Sequence, residues 1–319
     1  MSSLLDKPIV VTGAAGFIGA NLAIALVNQG AQVHALVRST TNLWRLGEIR
    51  NDIILHTVDL TDFDLLNEII GKVKPQGLFH LAAEGGHHED TKDRVDAIKS
   101  SVLGTLNLIE SISSLEFAKL IHVGSSLEYG RNNKALNESD LVQPETFRGA
   151  IKAAATLICR QYALSSENPV IILRLFSVYG YFEQPERLIS RTILAALDDG
   201  EISLTRPGYV HDYVFIDDVV RGCMLALDAQ IPGGEIINIG SGKQTTNEEI
   251  VRLIQEISGE KITVKEGDYP ERSFDTTNWV ADIEKARKLL NWDPRCTLTE
   301  GLDNTISWFM KNKSLYNDV

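Results

Sequence analysis

The chain has 319 residues, more than a single core usually holds (about 250–300), and a formal charge of −12 from 31 basic and 43 acidic side chains. No Lys/Arg-rich run stands out, which argues against nucleic acid as a main partner, and no apolar stretch approaches the roughly 18 residues needed to span a bilayer. Cys159, Cys223 and Cys296 lie far apart without metal-ligand spacing, which argues against a disulfide framework; with no leader-like N-terminus, a soluble, cytoplasmic protein is expected.

In chain order, the apolar runs Pro8–Thr12, Gln32–Val37, Ile53–Val58, Gly77–Leu81, Lys119–Val123 and Val170–Leu175 are short enough to be buried strands. Amphipathic segments of helical length separate them, which predicts an α/β fold with a doubly wound parallel (Rossmann) sheet. After Gly180 the rhythm changes: Arg187–Asp199 reads as a helix, Ile202–Leu204 as a strand, His211–Ile216 as alternating, and Asp217–Asp228 as a helix. Thr246–Ser258 predicts a helix with Thr246 as N-cap and Glu248 and Glu249 in its first turn. Asp282–Leu290 and Leu298–Lys311 predict helices on either side of an Asn291-Trp292-Asp293-Pro294 turn. A smaller, interleaved C-terminal α/β substrate domain is therefore expected. Residues 1–178 plus about 211–240 would bind a dinucleotide, and about 179–210 plus 241–319 the substrate.

The first strand runs into Gly13-Ala14-Ala15-Gly16-Phe17-Ile18-Gly19, which opens the helix Phe17–Asn28. Gly13 suits a tight turn, Gly16 the close approach of a pyrophosphate, and Gly19 tight helix–strand packing, with the helix N-terminus facing the negative charge. Ala15, Phe17 and Ile18 belong to the same contact. The second strand ends Leu36-Val37-Arg38-Ser39, without the carboxylate that would bond an adenosine ribose 2′-hydroxyl. Arg38 and Ser39 suit a 2′-phosphate instead, so NADP(H) is expected over NAD(H). The competing reading leaves Arg38 as a solvated strand-end residue.

Further segments extend the pattern: Val58-Asp59-Leu60, His80-Leu81-Ala82-Ala83, Gly104–Leu108, Val123–Gly130, Arg174–Gly180, Asp212–Asp218, Asn238–Gly242, and Ala281-Asp282-Ile283 before Asn291-Trp292. As a set they resemble the extended short-chain dehydrogenase/reductases, specifically the NAD-dependent epimerase/dehydratase family that modifies nucleotide-activated sugars. The resemblance covers nearly the whole chain. It implies Asp59 and Leu60 at the adenine, Leu81, Ala82 and Ala83 along the cofactor, and Phe176 and Val178 beside it. It also implies a homodimer through the helices near Gly104–Ser114 and Gly149–Tyr162.

Chemistry in that family uses a Ser or Thr with a Tyr-x-x-x-Lys pair, whose spacing puts both side chains on one helix face. Ser125 matches the hydroxyl residue and Lys152 the lysine, but Arg148 stands at the tyrosine position. A guanidinium stays protonated near neutrality and cannot serve as general base. Tyr129 has a structural role in the family and does not replace the missing group. Candidate substitutes are Glu84 and His87, in the titratable segment Glu84–Glu89 after the fourth strand, with Glu128, Tyr179 and Tyr181 further along. The His87-His88-Glu89 cluster is weak support for a metal, and none is expected.

On the substrate side the resemblance implies Ser126 and Tyr179, with Arg272 at one of the family's two diphosphate-binding arginines. His211 holds the position of the other, and Arg187 or Arg206 could compensate. Three readings stay open: an enzyme acting on a nucleotide-linked sugar with a substituted acid/base, leaning to NADPH-linked keto-sugar reduction; a cofactor-binding regulatory protein without redox chemistry; and a lyase or isomerase whose cofactor is structural.

Overall fold

The computed structural model describes residues 4, 6–83, 91–115, 119–166, 168–198, 200–272 and 275–316. The strands are β1 (Pro8–Thr12), β2 (Gln32–Val37), β3 (Ile53–Thr57), β4 (Gly77–His80), β5 (Lys119–Ser125), β6 (Val170–Leu175), β7 (Ser177–Tyr179), β8 (Glu201–Ser203), β9 (Val210–His211), β10 (Tyr213–Phe215), β11 (Glu235–Ile239), β12 (Thr245–Thr246) and β13 (Thr263–Lys265). The helices are α1 (Phe17–Asn28), α2 (Phe63–Val73), α3 (Thr91–Ile98), α4 (Gly104–Ser113), α5 (Phe147–Ser165), α6 (Leu188–Leu197), α7 (Ile216–Asp228), α8 (Asn247–Ser258), α9 (Glu284–Leu290) and α10 (Leu298–Asn312).

Seven strands form one parallel sheet in the order β11-β6-β5-β4-β1-β2-β3. The order reverses after β1, where β2 and β3 go one way and β4, β5 and β6 the other, which places a ligand crevice at the carboxyl ends of β1 and β4. Both faces are covered. Val10, Leu36, Leu78, Leu120 and Ile172 meet residues of α2, α4 and α5 on one side. Ile9, Val11, Val33, Ala35, Ile121 and Leu173 meet α1 and α7 on the other. This double burial explains why the strands read as continuous apolar runs without alternation.

The expected strands and helices form with small shifts at their ends. The sixth helix is shorter than Arg187–Asp199, because Arg187 sits at its N-cap in extended backbone and Asp198 ends it. The predicted cap at Thr246 is present, its hydroxyl accepting from the Glu249 amide at 3.1 Å, and α8 stops at Gly259, whose φ is +74°. Beyond β6, the short pairs β7–β10, β9–β12 and β8–β13 stand apart from the main sheet. Helices α6, α8 and α10 join the same apolar core as α1 and α7.

Between α3 and α4 the helix passes through a π turn at Lys99–Leu103. Where it resumes, Thr105 lies buried against β4 and reaches the His80 Nε2 at 2.8 Å, while Nδ1 of that ring lies 2.7 Å from the Thr12 hydroxyl. These two bonds offset the cost of burying the His80 ring in mid-sheet.

Candidate active site

The glycine turn is close-packed. Gly13 has φ of +67°, and a Cβ there would come 2.7 Å from the Ala82 nitrogen. A Cβ on Gly19 would come 2.1 Å from the Gly13 carbonyl oxygen. The turn is thus pressed between its own helix and the segment after β4, and the Ala82 amide donates to the Thr12 hydroxyl at 3.2 Å. Gly16 is open by comparison: a Cβ there would meet only the Gly13 oxygen, at 3.2 Å. No side chain caps α1, so its first-turn amides are left to an outside acceptor. Ala15 and Phe17 are buried behind the turn, with Ile18 partly so. This cradle fits the pyrophosphate of a dinucleotide.

At the next strand ends, Arg38 and Ser39 are exposed, as is Asp59. Asp59 Oδ1 accepts from the Thr61 amide at 2.9 Å and its hydroxyl at 2.7 Å. Those bonds, the amide first, together with the charge of Arg38, hold Asp59 below the usual carboxylate range. The Arg38 guanidinium is therefore within electrostatic reach of this carboxylate. Leu60 is buried against Gly104, and Leu81, Ala82 and Ala83 are partly buried beside the glycine turn. Phe176 and Val178 are buried past the end of β6.

Ser125 ends β5, where its Oγ accepts from the Leu127 amide at 3.2 Å and caps the 3-10 turn Ser126–Glu128. Lys152 is partly buried on α5, with Nζ donating to the Val123 carbonyl at 2.9 Å. Burial first, then the charge of Arg148, brings its pKa down to about 8. Arg148 lies one turn earlier, in the first turn of α5, whose Thr146 cap accepts from the Gly149 amide at 2.9 Å. Arg148 is exposed, yet enough protein surrounds it for desolvation, followed by the charge of Arg187, to lower its pKa. It remains a cation near neutrality.

Glu128 is a supporting residue. It is fully buried, pairs with the equally buried Arg174 at 2.7 Å, and accepts from the Ser125 amide at 2.8 Å and the Thr156 hydroxyl at 3.0 Å. Arg174 lies over the Tyr129 ring, and the Tyr129 hydroxyl donates to Asn238 at 2.7 Å. Desolvation pushes the Tyr129 phenol up to about 12, so it too is unsuited to proton transfer at neutral pH.

Two expected substrate contacts need correction. Tyr179 is 1% exposed, and its hydroxyl points at the Leu298 carbonyl, 3.3 Å away, against Gly301. Ser126 is buried, with its Oγ accepting from the Trp279 indole at 3.2 Å. Each hydroxyl already has a partner within the fold.

Arg187, His211 and Arg272 do come together. Burial and then the charges of Arg187 and Arg272 hold the His211 pKa at about 4, so the ring is neutral near pH 7 and does not titrate there. Arg187 pairs with the buried Glu183 at 2.8 Å, and burial lifts that carboxyl to about 7. Arg272 lies over the Tyr269 ring and bonds its hydroxyl at 2.6 Å. Arg206 instead pairs with Glu271 at 3.0 Å on the surface.

Glu84, His87, His88 and Glu89 lie outside the described residues. Among the described residues no group of three His, Cys, Asp or Glu could hold a metal, and no helix is long and apolar enough to cross a membrane.

The residues that sequence reasoning passed over are Arg174, Glu183 and Trp279. The first had a signal: a charged side chain inside the apolar run Val170–Leu175 requires a buried partner.

Comparison with known proteins adds an independent line. The model of the NAD dependent epimerase/dehydratase family matches residues 9–240. UDP-glucuronate 4-epimerase of Thermodesulfobacterium geofontis is 29% identical, over 97% of this chain and 98% of its own length. The crystal structure of UDP-glucose 4-epimerase with UDP-glucose from Thermotoga maritima superimposes with a TM-score of 0.88 at 27% identity, covering 96% of this chain and 99% of that one. UDP-glucuronic acid 4-epimerase from Bacillus cereus, in complex with UDP-glucuronic acid and NAD, gives 0.86 at 28% identity, covering 95% and 99%.

Proposed function

Because the chain belongs to the NAD dependent epimerase/dehydratase family, we propose that it is an NAD-binding enzyme acting on a nucleotide-activated sugar, with an acid/base step that does not use a tyrosinate. One observation carries the reading: the close-packed Gly13–Gly19 cradle and the Ser125 and Lys152 side chains open on the same carboxyl edge of the sheet.

NAD replaces the NADP(H) expected from Arg38. The Asp59 carboxylate close to that guanidinium disfavours a 2′-phosphate, and the Bacillus cereus relative holds NAD. With NAD, the emphasis moves from net keto-sugar reduction to redox-neutral epimerisation or dehydration, in which hydride taken from the sugar is returned to it. Bound NAD supplies the hydride acceptor. Ser125 is placed to bond the reacting sugar oxygen, and Lys152, protonated below about pH 8, to hold the cofactor ribose. Arg148 can stabilise developing negative charge but cannot accept a proton.

Arg148 also favours a second reading, in which the protein binds both ligands without turnover. The test titrates purified protein with NADH and NADPH by nicotinamide fluorescence, then incubates it with NAD and a panel of nucleotide sugars, with products followed by chromatography that resolves epimers and by mass spectrometry. Tighter NADH binding with turnover abolished by Lys152→Ala is expected. Tighter NADPH binding overturns the cofactor assignment, and binding without product overturns the enzymatic one. Exposed Leu106, Leu157 and Leu164 on α4 and α5 support the expected homodimer, which sedimentation velocity checks.

A further inference from the structure

Arg148 is a cation without a counter-ion among the described residues. Among those residues it makes no hydrogen bond, ion pair or ring contact, although it is exposed on α5 one helical turn from Lys152. The charges that act on it are of its own sign: Arg187 lowers its pKa, and it lowers that of Lys152. The carboxylates nearby are committed elsewhere. Both Glu128 oxygens are taken by Arg174, Thr156 and the Ser125 amide, and Glu183 is held by Arg187 and Ser190. A cation in the first turn of a helix also opposes the helix dipole. Crowding by protein, two neighbouring cations and an adverse dipole all disfavour this guanidinium, and nothing described in the chain compensates. A bound anion would offset all three.

The diphosphate of a nucleotide sugar has other partners to hand, since Arg187 and Arg272 form their own positive pair about the neutral His211. Arg148 stands on α5, within reach of the Arg187 charge but one helical turn from Lys152, where the resemblance places the reacting sugar. Resting on the nucleotide-sugar reading above, we propose that Arg148 is a specificity residue that pairs with a carboxylate on the sugar. The favoured substrate is then a nucleotide-linked acidic sugar of the uronic acid class. The planar guanidinium suits this role because it can meet both carboxylate oxygens at once.

The experiment is calorimetric titration of NAD-loaded protein with UDP-glucuronate, UDP-glucose and UDP, repeated on Arg148→Gln and Arg148→Lys, with dTDP-glucose as a second base. Wild type is expected to prefer UDP-glucuronate over UDP-glucose by about 10- to 100-fold, the range of a charge-assisted hydrogen bond. Arg148→Gln should erase that ratio while leaving UDP-glucose affinity almost unchanged, and Arg148→Lys should keep part of it. Equal affinity for the two sugars in wild type, or a ratio that survives Arg148→Gln, overturns the proposal. So does a loss of UDP affinity in Arg148→Gln as large as the loss for UDP-glucuronate, which would place the guanidinium on the diphosphate. If no uridine or thymidine sugar nucleotide binds at all, the nucleotide-sugar reading itself fails. Thermal melts of both variants establish that each is folded, as an exposed, unpaired side chain leads one to expect.

Discussion

Replacing Glu128 by Gln should damage stability far more than chemistry. The carboxylate and its partner Arg174 are 0% and 1% exposed, 2.7 Å apart, and the same carboxylate receives the Ser125 amide and the Thr156 hydroxyl. Glutamine keeps the volume and one acceptor oxygen but removes the charge, leaving a buried guanidinium with no anion beside it. Breaking a buried pair in this way costs about 3–5 kcal/mol. At roughly 2–4 °C per kcal/mol for domains somewhat shorter than this chain, Tm should fall by about 5–15 °C. The double variant Glu128→Gln/Arg174→Leu should recover part of the loss, because removing both charges removes the uncompensated one. Urea unfolding and scanning calorimetry give the stabilities, and turnover per folded molecule should stay within about tenfold of wild type, since no transferred proton passes through Glu128. A stability loss below about 1 kcal/mol, the range of a surface pair, combined with collapse of turnover would refute this and make Glu128 the missing base.

The glycine turn makes a graded prediction: Gly16→Ala should fold like wild type and lose NADH affinity, whereas Gly19→Ala, which meets backbone at 2.1 Å, should lose both stability and affinity. Fluorescence titration and thermal melts distinguish them, and unimpaired NADH binding by Gly16→Ala would show that the ligand does not approach there. The protein should also be labile in acid. Burial holds His80 at about 3 and His211 at about 4, so their folded-state pKa values lie below the unfolded value near 6.5. Above that value both are neutral in either state, and as pH falls through it only the unfolded chain gains protons. Each can then remove up to about 1.4 kcal/mol per pH unit, and urea midpoints at pH 7.5 and 5.0 that do not differ would contradict the assignment. Finally, NADH binding should weaken above about pH 8 as Lys152 loses its proton. In Arg148→Gln that decline should move to higher pH, because a neighbouring cation has been removed, and a downward move would mean that Arg148 does not act on Lys152.

The sheet was legible because a strand buried on both faces must be apolar throughout, and because Gly13, Gly16 and Gly19 follow such a strand and open a helix. The cap at Thr246 was legible for a local reason, the hydroxyl lying three residues from its donor amide. Tyr179 and Ser126 misled because position along a strand end does not reveal whether a hydroxyl meets the cleft or the Leu298 carbonyl and Trp279 indole, more than a hundred residues away. His211 stands where the resemblance expects an arginine, but its neutrality depends on burial and on Arg187 and Arg272, which only the folded chain brings near it. Arg148 was found by its offset from Lys152, whereas its want of a partner is a property of three dimensions.

The π turn at Lys99–Leu103 also fixes a phase. Successive residues of an α-helix advance by about 100°, so a turn that accommodates an extra residue rotates everything downstream by that angle. Thr105 faces His80 only in the rotated setting, with its hydroxyl shared between that ring and the Ser101 carbonyl. Straightening the turn at constant length would carry Thr105 about 100° off the sheet and strand an imidazole nitrogen in the interior. A chain shortened by one residue within Lys99–Leu103 could instead run α-helical throughout and keep Thr105 on His80, because the lost residue and the lost π turn offset each other.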